Sequence, residues 1–158
     1  METRLYVSPL GEITLAAHEG RLIGLWFAGQ KYDRAGLDKL PPRAGEADRA
    51  ALDAACRWLD GYFAGQPLPE APPLAPRGTA FQRRVWAELG GIPYGKTVSY
   101  GELARRLGSS ARAVGAAVGR NPISVLIPCH RVLGADGGLT GYAGGLERKK
   151  RLLELEKA

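Results

Sequence analysis

Between Gly65 and Gly78 the chain reads GQPLPEAPPLAPRG, with five of its eleven prolines in fourteen residues. Proline has no amide hydrogen to donate and its φ is fixed, so neither a helix nor a sheet ladder can run through such a segment. The 158 residues are therefore expected to fold as two units, 1–76 (ending in the Pro-rich linker) and 77–158. The charge changes at the same place. Residues 1–76 hold eight Lys/Arg against ten Asp/Glu, whereas residues 77–120 hold Arg77, Arg83, Arg84, Lys96, Arg105, Arg106, Arg112 and Arg120 against only Glu88 and Glu102. The basic excess behind the net +6 charge is thus confined to the second unit. A localised basic field attracts polyanions, of which nucleic acid is the usual one, although a solvated helix face accounts for the charge alone equally well.

The first unit reads as an antiparallel sheet plus a helix. TRLYVS alternates, and GEITLAAHEGRLIGLWFAG gives two strands joined at His18-Glu19-Gly20. In EADRAALDAACRWLDGYFAG, residues Leu52, Ala55, Cys56, Leu59, Tyr62 and Phe63 fall on one helical face, so packing explains Cys56. The second unit reads as mostly helical. Thr79 with Gln82 and Ser99 with Glu102 are two capping-box patterns, and Gly108 closes the second helix. SSARAVGAAVGRN follows as a small-sided helix, and two short helices split by Gly-Ser-Ser have the dimensions of a helix-turn-helix. VLGADGGLTGYAGG reads as a hairpin or wing, and LERKKRLLELE as a last amphipathic helix with Leu146, Leu152, Leu153 and Leu155 apolar. The whole is an α+β chain: a small sheet-and-helix domain, then a winged helix-turn-helix-like domain. No apolar run approaches membrane-spanning length and no basic start precedes an apolar block, so a cytoplasmic protein is expected.

The chemistry concentrates in SVLIPCHRVLG, where Cys129 and His130 are adjacent in a chain holding two of each residue type. A thiol buried among apolar groups is unreactive unless a partner takes its proton. Neighbours in an extended chain face opposite ways, so transfer from Cys129 to His130 calls for a turn or a bound water. A histidine base works better with a carboxylate on its other nitrogen, and the last helix offers Glu147, Glu154 and Glu156. Spacing alone does not choose among them, nor does it separate a nucleophile from a buried strand end. The Cys and His residues lack paired metal-ligand spacing, so no metal is expected.

IPCHRV (127–132), preceded by GRNPISVL and followed by GYAGG, resembles the active-site signature of the O6-alkylguanine-DNA alkyltransferases. FQRRVWAELGGIPYGKTVSYGELA (81–104) is similar to another block of that family, in the same order. The resemblance is close over about residues 79–156 and general before them. It implies a repair protein that moves an alkyl group from O6 of guanine in double-stranded DNA irreversibly onto its own Cys129, once per molecule and without a cofactor. By the same resemblance His130 is the base, Glu156 its carboxylate and Asn121 the hinge of the turn carrying the cysteine. Tyr100 is the proton donor to the leaving guanine. Arg112 is the side chain that fills the stack after the nucleotide flips out, from a helix lying in the minor groove. Ser99, Tyr100, Ala113, Gly115, Ala116 and Arg120 are the further DNA-facing positions, and Val118, Val132, Leu139, Tyr142, Ala143 and Gly144 the pocket wall. Ala143 stands where some relatives carry Ser. A monomer in solution is expected, with clustering on DNA left open. Two other readings are a damage binder that transfers nothing, against which the intact Cys129 thiol weighs, and a winged-helix regulator, against which the few polar base-reading side chains weigh.

Overall fold

The computed structural model describes residues 1–43 and 45–157. Strands β1 (Glu2–Ser8), β2 (Gly11–His18) and β3 (Arg21–Phe27) form an antiparallel sheet in that order. The β2–β3 connection is the expected tight turn: Glu19 and Gly20 both take positive φ, 51° and 75°, the conformation that matches the twist of the flanking strands. In β1 the alternation holds but its faces are reversed. Leu5 and Val7 face solvent, while Arg4 and Tyr6 turn inward to hydrogen-bond Asp53 and Asp60 of the packed helix.

That helix, α1 (Glu46–Phe63), lies on the sheet and buries Leu52, Ala55, Leu59 and Tyr62 as its spacing requires, with Ala51 and Trp58 added. Each fully buried leucine here contributes about 1.5–3 kcal/mol. The free edge of β3 is covered by the connector itself and by residues 122–124 of the second unit. Leu22 donates to the Pro73 carbonyl and accepts from Ala75, both at 2.8 Å, while Leu25 donates to Pro122 at 2.8 Å and accepts from Ser124 at 3.1 Å. The segment leading to Cys129 is thus anchored on the N-terminal sheet, which pairs an edge that would otherwise invite foreign strands.

The second unit holds α2 (Ala80–Leu89), β4 (Val98–Ser99), α3 (Tyr100–Leu107), α4 (Ala111–Gly119), β5 (Val132–Leu133) and α5 (Leu146–Lys157). Thr79 and Gln82 form a complete capping box on α2. At α3 only half the expected box exists: Ser99 accepts from the Glu102 amide at 3.0 Å, but the Glu102 carboxylate turns away to Arg106 at 2.8 Å. An available arginine one turn on outcompetes the backbone amide. Gly108 ends α3 at φ 63°, and Ser110 caps α4. Val85, Trp86, Leu89, Leu103, Leu107, Val114, Ala117 and Val118 pack α2, α3 and α4 together, and Trp86 Nε1 donates to the Ala117 carbonyl at 2.8 Å.

Two expectations change. Residues 132–145 form no hairpin: β5 pairs in parallel with β4 (Val98 with Val132, Ser99 with Leu133), and Gly134–Gly138 closes as a turn. The glycine-rich stretch lacks the alternation a wing strand needs. In α5 the inward positions are Lys149, Leu152 and Glu156, whereas Leu146 is half exposed. Spacing of three and four residues holds, but two of the buried positions are charged because polar partners await them. The α+β organisation is the one expected. No described helix is long and apolar enough to cross a membrane.

Candidate active site and nucleic-acid interface

Cys129 does not end a buried strand. Residues Cys129–Arg131 form a single 3-10 turn, with the Arg131 amide donating to Pro128 at 3.0 Å. The turn is held from Asn121. Its Nδ2 donates to the carbonyls of Ile127 (2.9 Å) and Ile123 (3.4 Å), and its Oδ1 accepts from the Ile123 amide at 3.0 Å. Between them Val125 sits at φ 72°, a left-handed conformation that costs a β-branched residue roughly 1–3 kcal/mol and persists only where the surroundings impose it.

His130 is sealed from solvent. Its Nε2 lies 2.6 Å from Glu156 Oε2, while Nδ1 is buried without a protein partner. Glu156 is caged by donors. Oε2 also accepts from Tyr62 Oη at 2.7 Å and Arg131 Nη2 at 3.1 Å, and Oε1 accepts from Arg131 Nε at 2.8 Å and the Gly95 amide at 3.1 Å. Gly95 presents that amide at φ 77°, where a side chain would be strained. Burial alone would raise the Glu156 carboxyl, but the bonds from His130, Arg131 and Tyr62 outweigh it and hold it at about 2. Burial lowers His130, against the pull of Glu156 in the other direction. An ionised Glu156 keeps the proton on Nε2, so Nδ1 is the free acceptor. Burial pushes the Cys129 thiol up to about 11, and the Asn121 side chain and the Lys149 charge draw it back only in part. The resting thiol is protonated and waits for a base.

Cys129 lines a cavity of about 790 Å³ together with Tyr100, Tyr142, Ala143, the α4 residues Ala113, Gly115, Ala116 and Val118, and Arg120 just past that helix. Tyr100 begins α3, with its hydroxyl 3.4 Å from the Thr140 carbonyl, and burial raises its phenol above the ordinary value. Tyr142 Oη is buried without a partner. Arg112, Ala113 and Ala116 form an exposed face of α4, with Arg112 on its first turn, and exposed Arg120 follows just past its end. Ser99 is occupied in capping α3. Three expected wall residues stand elsewhere: Val132 is in the core, Leu139 is exposed, and Gly144 packs beneath Tyr142 against Phe27, where a Cβ would come within 2.6 Å of the Tyr142 ring.

Several residues of this region escape a reading by motif. Lys31 and Tyr32 of the first unit line the cavity; the Lys31 amide donates to Ala143 at 3.0 Å and Arg120 lies over the Tyr32 ring at 4.1 Å. Lys149 Nζ, wholly buried, donates to the carbonyls of Val132 (2.6 Å), Thr140 (2.8 Å) and Gly141 (3.2 Å), tying the glycine-rich loop to β5. Burial lowers its pKa to about 8. Its signal in the sequence was a charge on the Leu152 stripe of α5.

The 6-O-methylguanine DNA methyltransferase ribonuclease-like domain matches residues 1–76, and the DNA binding domain of the same family matches residues 80–158. The methylated-DNA--protein-cysteine methyltransferase of Mycobacterium tuberculosis is 48% identical over 153 residues, covering 96% of this chain and 89% of the relative. That of Methanosarcina acetivorans is 44% identical over 154 residues, covering 96% of each. The crystal structure of Mycobacterium tuberculosis OGT in complex with DNA shares the fold with a TM-score of 0.83 at 46% identity, over 99% of this chain and 93% of that one. With both halves matched, a cysteine turn anchored on the N-terminal sheet and close relatives along the full length, this chain belongs to the 6-O-methylguanine DNA methyltransferase family.

Proposed function

We propose that the protein repairs DNA by moving the alkyl group of O6-alkylguanine onto Cys129, acting as a cytoplasmic monomer without a cofactor. The observation that carries this reading is the shared cavity: the thiol opens into the same space as the exposed, small-sided face of α4. The alkyl carbon of such a lesion is stacked inside the duplex, so a thiol reaches it only after the nucleotide turns out, at a cost of a few kcal/mol. In our reading α4 enters the minor groove, which admits little bulk and carries little base code, as suits sequence-independent search. Arg112 fills the vacated stack, and Ala113, Gly115, Ala116 and Arg120 line the approach, with Tyr142, Ala143 and Val118 around the flipped base.

The thiol proton passes through a water to His130 Nδ1, and Glu156 holds the resulting imidazolium. Cys129 Sγ then attacks the alkyl carbon in line. The carbon–O6 bond breaks with its electron pair going to guanine, and Tyr100 supplies a proton to the departing base. His130 returns a proton to the phenol, so the thiol proton ends on guanine and a thioether remains. Displacement at a saturated carbon needs only a nucleophile and a proton path, and nothing in the scheme cleaves the thioether. The protein therefore works once.

The test is a count. Protein titrated into excess duplex carrying O6-methylguanine should restore one guanine per protein molecule and then stop. Continued turnover, or none, overturns the reading.

A further inference from the structure

Tyr62 lies on the apolar stripe of α1, where the ring alone would account for it, yet its hydroxyl crosses to the other unit. It donates to Glu156 Oε2 at 2.7 Å, 94 positions along the chain, and this is the oxygen that His130 Nε2 meets at 2.6 Å. The ring cannot swing away. It stacks on Trp58 at 5.2 Å and 11°, and meets Phe63 and Tyr94 edge-on at 5.2 and 6.1 Å. Only 1% of Tyr62 is exposed, and burial raises its phenol, so it remains a donor across the working range.

We propose that Tyr62 is a positioning residue of the transfer reaction: from the N-terminal unit its hydroxyl shares Oε2 with His130 and sets how strongly Glu156 draws a proton onto the imidazole. The inference rests on the alkyl-transfer reading above. A carboxylate divides its charge among the donors that surround it, so each extra donor weakens its hold on the others. Besides Tyr62, the groups facing the pair are the Arg131 guanidinium, which binds both oxygens, the Gly95 amide, the Tyr142 phenol, Lys149 and the Cys129 thiol beside His130, and Tyr94 across the Tyr62 ring. Arg131 keeps Glu156 ionised when the phenol is removed. The freed charge then falls on His130 and raises the pKa of its imidazole, so in acid the neutral base that takes the thiol proton is lost at a higher pH. The N-terminal sheet-and-helix unit thus supplies a group to the proton relay as well as a platform for the cysteine turn.

The experiment is the pH dependence of the single-turnover methyl-transfer rate on an O6-methylguanine duplex, using the full chain. With Tyr62→Phe the acid limb should move to higher pH by about half a unit, the size expected when one of several bonds to a carboxylate is removed. With 3-fluorotyrosine at position 62 alone, a more acidic and stronger donor, it should move to lower pH. Tyr94→Phe removes a hydroxyl from the same aromatic cluster without touching Glu156 and should leave the limb in place. A role in packing alone would lower the melting temperature of Tyr62→Phe and leave its profile on that of the parent chain, and an unmoved or acid-shifted limb overturns the inference. Should Tyr62→Phe fail to fold, the fluorinated chain decides alone, an unmoved limb again counting against the proposal. A parent chain that transfers nothing refutes instead the reading on which the inference rests.

Discussion

His130 Nε2 and Glu156 Oε2 stand 2.6 Å apart with both side chains sealed from solvent, and this bond decides which imidazole nitrogen can take a proton. Glu156 is held ionised at about 2, so it accepts from Nε2 and leaves Nδ1 as the base. The tautomer is fixed by a residue that lies 26 positions away and by the donors that surround it.

Glu156→Gln is isosteric but carries no charge to hold an imidazolium. The apparent pKa for thiolate formation at Cys129, read from the pH dependence of its alkylation, should rise. The Arg131 guanidinium would lose its ion-pair partner in a buried site, which should lower unfolding stability by about 3–5 kcal/mol in denaturant titrations. An unchanged alkylation profile would mean that His130 works without this carboxylate.

The same carboxylate makes stability fall in acid. Its folded pKa lies below the unfolded value of about 4.3, so its contribution is complete above that value and is lost as the pH falls through it toward about 2. His130 acts in the same direction: its lowered folded pKa means that the unfolded chain binds the proton more readily below about 6.5. Urea midpoints should therefore decline from neutral pH downward, and Glu156→Gln should flatten the part of the decline below about pH 4. Parallel curves for the two proteins would contradict this assignment.

Arg112 projects from the exposed first turn of α4 and touches nothing in the relay. Arg112→Ala should slow transfer from duplex DNA by roughly tenfold, the order expected when a contact that offsets a few kcal/mol of unstacking is removed. Transfer from a single strand, which has little stack to fill, should slow far less. Equal losses on both substrates would exclude a part in flipping.

The sequence made some of this legible and hid the rest for physical reasons. The adjacency of Cys129 and His130 marked the chemistry, and turn and cap residues such as Glu19-Gly20, Thr79 with Gln82, and Gly108 act locally, so they could be read in place. The choice of Glu156 over Glu147 and Glu154 came from family resemblance, because it depends on which face of α5 turns inward. That face runs Lys149, Leu152, Glu156, and with charges at two of its three positions it carries no apolar signal of which side turns inward; the buried partners of those charges do. Tyr62 and Arg131 were illegible for the same reason. An apolar stripe predicts where a tyrosine ring goes but not what its hydroxyl meets 94 residues later.

The central claim is that Cys129 itself accepts the alkyl group, and mass spectrometry of the protein after reaction with an O6-methylguanine duplex tests it most directly. Trypsin should release NPISVLIPCHR, Asn121 to Arg131. The account predicts a stoichiometric methyl increment on Cys129 in that peptide, with Cys129→Ser binding the DNA as before and leaving the lesion in place. An unmodified peptide from folded protein that still binds the duplex, or transfer retained by Cys129→Ser, would contradict it.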